Sequence, residues 1–197
     1  CVAFAAASGM KEYQEIIDWK KFMELSTRFL YSECKKIDGA PDMEGTRIRC
    51  AMKVLKDLGT CMESFWPYRP HQNNKPKIGA LKNAKRFRAL TYARIVGLDD
   101  LRMSLALRGP CVIGVTVFAG MMKTKTGKVP MPGFKERALG GHAICPVGYD
   151  DESKTIKFKN SWSTAWGEKG YGYLPYAYVK KYMMDAWSCV DIKDASP

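Results

Sequence analysis

Two spacings of apolar residues divide the chain. In the first half they recur every three to four positions, as on a helix face; in the second they form short β-branched runs between turn formers. From Val2, the residues Ala3, Phe4, Ala5, Ala6 and Ala7, then Ile16, Ile17 and Trp19, predict a long, largely buried helix that Ser8-Gly9 weakens locally. Ser26 or Thr27 can cap a second helix running through Cys34, and Asp38-Gly39-Ala40-Pro41-Asp42 reads as a loop. From Thr46, the residues Ile48, Ala51, Met52, Val54, Leu55 and Leu58 predict a third helix, stopped by Gly59. Residues 67–77 hold three prolines and read as loop; residues 78–92 predict a helix, as do residues 99–107, ended by Gly109-Pro110.

The second half reads differently. Residues 111–118 predict a buried strand, and the Lys-, Gly- and Pro-rich residues 121–137 an exposed loop. Residues 143–149 and 155–159 are β-rich runs joined by Asp150-Asp151-Glu152-Ser153, a hairpin pattern. Residues 170–174 predict a strand, 175–184 a short helix and 187–192 a last strand. The expectation is an α+β chain, with an α-rich lobe over about residues 1–107 and a mostly antiparallel β lobe over about 108–197. Neither an internal repeat nor a low-complexity tract interrupts it.

The hairpin carries chemistry. His142 stands at the start of one strand and Asn160 at the end of its partner, so their side chains can meet side by side across the ladder. A histidine held by an asparagine amide calls for a nucleophile, and the sequence begins Cys1-Val2-Ala3-Phe4. At the amino end of a helix, unpaired amides and the helix dipole stabilise a thiolate, which a neighbouring imidazolium stabilises further. A lone cysteine is more often a buried hydrophobe and a lone histidine is more often structural. The order Cys1, His142, Asn160 and Trp162 outweighs those readings. His71, the other histidine, lies in a Pro-rich polar loop and reads as surface, while Trp66, Pro67 and Tyr68 read as core or lobe interface.

These residues resemble the papain family of cysteine peptidases, more closely its bacterial members. The resemblance rests on Cys1-Val2-Ala3-Phe4, Leu25-Ser26 with Cys34, Phe65-Trp66-Pro67-Tyr68, Gly109-Pro110, Gly141-His142-Ala143, and Asn160-Ser161-Trp162 with Trp166-Gly167 and Gly170-Tyr171, in the family's order. It implies a papain-like two-lobed α+β fold with a cleft between the lobes. Peptide bonds would be hydrolysed through a Cys1 thioester, with His142 and Asn160 completing a triad and Trp162 shielding their hydrogen bond. It also implies that Glu44, Gly45 and Thr46 bind substrate backbone, and that Gly114 or Val115, with Gly140, Gly141 and Ala143, line the second specificity pocket.

Three departures stand out. Val2 replaces the family's tryptophan, and Ser163 and Ala165 replace two of its glycines. The glutamine that the family places shortly before the nucleophile, to complete the oxyanion hole, has no counterpart in a sequence that opens on Cys1; losing such a donor typically costs about 10²–10³ in rate. Either an upstream segment precedes Cys1 in the natural protein, or Cys1 is a true amino terminus whose α-amine could help activate the thiol. Two alternatives to the peptidase are acyl transfer to an amine, as an amide ligase or acyltransferase, and a non-catalytic basic module that binds acidic polymers.

Composition refines these expectations. The net charge is +12, and Lys75, Lys77, Lys82, Lys85, Arg86, Arg88 and Arg94 cluster with Phe87 and Tyr92. With no recognised nucleic-acid motif beside it, this cluster reads as a solvated basic face; weak, salt-sensitive, sequence-independent binding to nucleic acid is the most it predicts. No apolar run approaches the ~18 residues of a membrane span. Seven cysteines without a Cys-x-x-Cys pair, and only two histidines, argue against a zinc site, and no cofactor is expected. The resemblance puts Met43 near the place of one half-cystine and leaves Cys34 without its bridge partner between Cys61 and Cys111. The thiols are therefore expected to be reduced and mostly buried, as in a cytosol-like compartment. A peptide or protein substrate, an upstream segment or propeptide, and a monomeric state complete the expectations.

Overall fold

Residues 1–70 and 73–191 are described by the structure, a computed structural model, and form two units: Val2–Ala93 with the chain from Cys189, and Cys1 with Arg94–Ser188. His71 and the end of the expected last strand, from residue 192, lie outside the described residues.

The α-rich unit opens with a π-helical stretch, Phe4–Lys11, in which the N–H of Glu12 reaches the carbonyl of Ala7, five residues back. It continues as α1 (Glu12–Trp19). The expected long helix thus runs through Trp19, but it is largely buried only as far as Glu12. Ile16 and Ile17 are 38% and 48% exposed, whereas Lys11, Glu12 and Glu15 are buried. The charged groups can face inward because they are satisfied there. Glu12 accepts from the Leu25 amide at 2.9 Å and from Ser8 Oγ at 3.4 Å; Glu15 accepts from Trp19 Nε1 at 2.9 Å and pairs with Lys11.

Ser26 caps α2 (Thr27–Lys35): its Oγ accepts from the Phe29 amide at 3.0 Å and donates to the Trp66 carbonyl at 2.6 Å. α3 (Ile48–Asp57) buries Ile48, Ala51, Met52, Val54 and Leu55, the positions that its spacing predicts. It ends before Gly59, at φ +79°, where a Cβ would strike the Ala84 carbonyl. The helix expected over residues 78–92 breaks up into α4 (Ala80–Ala84), a 3₁₀ turn (Lys85–Phe87) and the strand β1 (Ala89–Arg94). Sheet pairing overrides local helix propensity there, because β1 takes an end position in the sheet. The basic residues of this segment are exposed apart from the half-buried Arg88, but Phe87 is only 2% exposed, so it offers no face on which a base could stack.

The β-rich unit contains α5 (Gly97–Arg108), β2 (Val112–Val117), α6 (Ala119–Lys123), β3 (Gly140–Asp150), β4 (Thr155–Lys159), β5 (Tyr171–Pro175), α7 (Tyr176–Tyr182) and most of β6 (Met183–Asp191). The sheet order is β1-β6-β2-β3-β4-β5, and β2 through β5 and β6 pair antiparallel. The segment expected to be wholly loop from Met121 begins inside α6, whose Met121 is fully buried. Ile113, Val115, Ile144, Ile156, Phe158, Leu174 and Tyr178 form the heart of the core. Arg102 of α5 fastens the hairpin turn: it pairs with Asp151 at 2.6 Å, and Tyr176 Oη donates to the same carboxylate at 2.7 Å.

Candidate active site

His142 is the third residue of β3 and pairs with Val115 of β2. Asn160 comes directly after the last residue of β4, with its own N–H held by the Gly170 carbonyl at 2.9 Å. The two do not face each other directly across the ladder. Cys145 opposes Lys159, so continuing that register puts Asn160 opposite Ile144, two positions beyond His142 on the same side of β3. The contact is therefore diagonal, and it is close: His142 Nε2 to Asn160 Oδ1 is 2.8 Å.

The protons can be placed from the neighbours. Asn160 Oδ1 also accepts from the Ser161 amide at 2.8 Å. A backbone N–H can only donate, so the atom it meets is the amide oxygen, and His142 must donate to that oxygen through Nε2. In the neutral ring Nδ1 is then left without a proton, free to take one. Asn160 Nδ2 is buried and has no hydrogen-bond partner among the described residues.

Aromatic rings fix the plane of the imidazole. Trp162 stacks on His142 at 4.5 Å between centroids and 20° between planes, and meets Trp166 edge-on at 5.5 Å. Trp166 is anchored by Nε1 on the Met121 carbonyl at 3.0 Å and packs on Phe158 at 5.7 Å. Ser163, at a position where the resemblance expects glycine, holds φ +73°, with its Oγ accepting from the Ala165 amide at 3.3 Å.

His142 is 8% exposed. Burial lowers its pKa below the ordinary 6.5, and the bond to Asn160 opposes that shift. Cys1 belongs to the unit that carries His142, not to the helical segment that it precedes, and it is the exposed one of the seven cysteines. Cys34, Cys61, Cys111, Cys145 and Cys189 are buried, with burial pushing the Cys61 thiol up to about 11 and that of Cys145 to about 12. A thiol held protonated in that way is a poor nucleophile.

The β2–β3 ladder unites one set of candidate substrate residues: Gly114 opposes Ala143, Val115 opposes His142, Thr116 opposes Gly141 and Val117 opposes Gly140. Val115 is fully buried, while Gly140 and Gly141 are exposed, so the glycine backbone is what a ligand would meet. Sequence reasoning missed Met184 of β6. It is 54% exposed, and its ε-methyl would lie 3.0 Å from a Cβ on Gly141. No motif marks it, since only strand pairing brings β6 to this place. The other set, Glu44, Gly45 and Thr46, lies on the loop before α3, with Glu44 and Gly45 exposed and Gly45 at φ +83°. A cavity of about 680 Å³ that includes Lys128, Tyr149, Lys157 and Tyr173 is lined by none of the candidate residues.

The helical unit, the antiparallel sheet and the stacked His–Asn–Trp arrangement define a papain-like α+β protein. Residues 1–188 match the papain family of cysteine proteases, and the chain belongs to that family. It is 35% identical, over 185 residues, to an uncharacterized peptidase C1-like protein of Acanthamoeba polyphaga mimivirus, a match covering 86% of this chain and 60% of that one. It is 28% identical, over 166 residues, to the cathepsin B-like CP3 of Giardia intestinalis, covering 77% of this chain and 52% of that one. The chain thus spans less than two thirds of the length of these relatives. Among solved structures it is similar to xylellain, a cysteine protease from Xylella fastidiosa, with a TM-score of 0.88 and 30% identity over 98% of this chain and 79% of that one. The fold alone is shared with the Carica candamarcensis cysteine protease CMS1MS2, at a TM-score of 0.72 and 20% identity over 97% of this chain and 88% of that one.

Proposed function

We propose that the chain acts as one catalytic domain of a cysteine peptidase, hydrolysing peptide bonds through a thioester on Cys1. The observation that carries this reading is the bond from His142 Nε2 to an Asn160 oxygen committed as acceptor, which leaves Nδ1 as the working nitrogen. In the proposed reaction Nδ1 takes the Cys1 proton and the thiolate sulfur attacks the scissile carbonyl. The imidazolium then gives its proton to the departing amine as the carbon–nitrogen bond breaks. Water attacks the thioester, losing a proton to the same nitrogen, and the carboxylic acid leaves as the sulfur recovers its proton. Asn160 keeps the ring in one tautomer, and Trp162 shields the bond between them from water.

Glu44, Gly45 and Thr46 are assigned to substrate backbone, and Gly114, Gly140, Gly141 and Ala143, with the backbone of Val115, to the second side-chain pocket. The substrate is a peptide or protein, taken by a monomer. Cleavage of a peptide library with and without an added amine tests the reading. Wild-type protein should give hydrolysed product in both cases, and Cys1→Ala and His142→Ala should give none. Amide-linked product as the main outcome would instead favour acyl transfer.

A further inference from the structure

The ammonium at the end of α2 turns away from solvent. Lys35 has a side chain 16% exposed, and its Nζ meets the carbonyl oxygens of Ala40 at 2.5 Å, Met43 at 2.8 Å and Gly45 at 3.1 Å, and the Asp38 carboxylate at 2.9 Å. Four oxygens from one loop converge on a group with three hydrogens, so at least one hydrogen is shared. Asp38 is itself fixed, accepting from the Ala40 amide at 3.0 Å. The Lys35 ammonium and the Ala40 amide hold its carboxyl at about 2, so the carboxylate that faces the ammonium stays ionised at neutral pH.

Little else shapes the loop. Among the described residues, its one internal backbone bond between Gly39 and Thr46 runs from the Met43 amide to the Ala40 carbonyl at 3.2 Å. Lys35 therefore sets which way the peptide groups face. The carbonyls of Met43 and Gly45 accept from the ammonium, and the amides of Glu44, Gly45 and Thr46 meet no acceptor among the described residues. Free amides on an exposed loop are the donors that an extended peptide's carbonyls require.

We propose that Lys35 is a positioning residue: its ammonium holds residues 40–45 in the one conformation that presents those amides to substrate. The proposal rests on Glu44, Gly45 and Thr46 being the substrate-backbone contacts assigned above. An internal cation bound to several carbonyls pre-pays the ordering of a glycine-containing loop, so its loss should weaken substrate binding and spare the chemistry.

The test compares Lys35→Met, Lys35→Arg and Asp38→Asn with Lys36→Met, a control at an exposed lysine paired to Glu33. For each, KM and kcat are measured on a cleaved peptide, together with amide exchange at residues 43–46 and the rate of Cys1 alkylation by a small chloroacetamide. Lys35→Met should raise KM roughly tenfold with kcat within about twofold, speed exchange at these amides roughly tenfold or more and leave alkylation unchanged. Lys35→Arg, still a multiple donor, should recover most of the lost affinity, and Lys36→Met should behave as wild type. Asp38→Asn leaves the lysine in place and should shift KM and exchange in the same direction, so it carries the test if Lys35→Met does not fold. Unchanged KM and exchange in Lys35→Met, or equal losses in kcat and alkylation rate, would overturn the proposal while leaving the peptidase intact. Wild-type protein that cleaves no peptide would instead overturn the reading of the site, and exchange would still report whether the tether holds the loop.

Discussion

His142 Nε2 and Asn160 Oδ1 lie 2.8 Å apart, and the oxygen is committed to its role by the Ser161 amide that it also accepts. The asparagine thus selects the tautomer of the ring as well as its orientation. Asn160→Ala should lower kcat/KM by about 10- to 10²-fold, since the ring keeps its chemistry but loses its single pose. Asn160→Asp should shift the acid limb of the pH–rate profile upward, because a carboxylate stabilises the imidazolium. Steady-state pH profiles of the two variants measure both effects, and an unshifted limb in Asn160→Asp would count against the contact.

Burial keeps the His142 imidazole below its ordinary pKa of 6.5. In a Cys1→Ala background, where no thiolate can form, its ring-proton NMR resonance should titrate below 6.5. Adding Asn160→Ala should lower the midpoint further, because the bond to Asn160 is the influence that raises it. Between the folded pKa and 6.5 the unfolded chain binds more protons than the folded one at this site. Its contribution to stability is therefore lost as pH falls from about 6.5 through the folded pKa. A midpoint above 6.5 in this background would contradict the assignment.

Trp162 lies flat on the imidazole and edge-on to Trp166. Trp162→Ala should cost about 2 kcal/mol of stability and roughly tenfold in kcat/KM, by removing two aromatic contacts and wetting the His–Asn bond. Trp162→Phe should keep most of both. Chemical unfolding alongside steady-state kinetics checks the pair; equal losses in the two variants would mean that ring stacking is not what matters.

Two neighbouring positions should respond in opposite directions. Ser163 holds φ +73° with a side chain, so Ser163→Gly should gain up to about 1 kcal/mol by relieving left-handed strain. Gly167 holds φ +59°, and a Cβ there would strike the Tyr171 carbonyl, so Gly167→Ala should lose about 2–3 kcal/mol. Thermal unfolding of both variants measures the signs.

The hairpin was legible because its two runs, their turn acids and the His–Asn spacing are all local features. Its offset was not, since Val147 is an extra residue in β3 between the pairs Pro146–Phe158 and Gly148–Lys157. The cap at Ser26 and the stop at Gly59 rest on single residues and were readable. β1 was not, because Ala80 to Ala84 do form a helix and only pairing in the sheet makes Ala89 to Arg94 a strand. Likewise, no spacing rule turns Ile16 and Ile17 outward while burying Glu12 and Glu15; their partners, among them the Leu25 amide, come from elsewhere in the chain or from the next helical turn. The role argued for Lys35 was invisible for the same reason, since it depends on three carbonyls and a loop conformation.

The central claim is that Cys1 carries the acyl group. A thiol-directed epoxide, titrated into protein hydrolysing a peptide and tracked by mass spectrometry of the digested product, tests it most directly. One equivalent should abolish turnover with the label on Cys1 alone, because Cys1 is the exposed thiol and burial holds those of Cys34, Cys61, Cys111 and Cys145 protonated. Full activity with Cys1 alkylated, or turnover lost through a label on another cysteine, would contradict it.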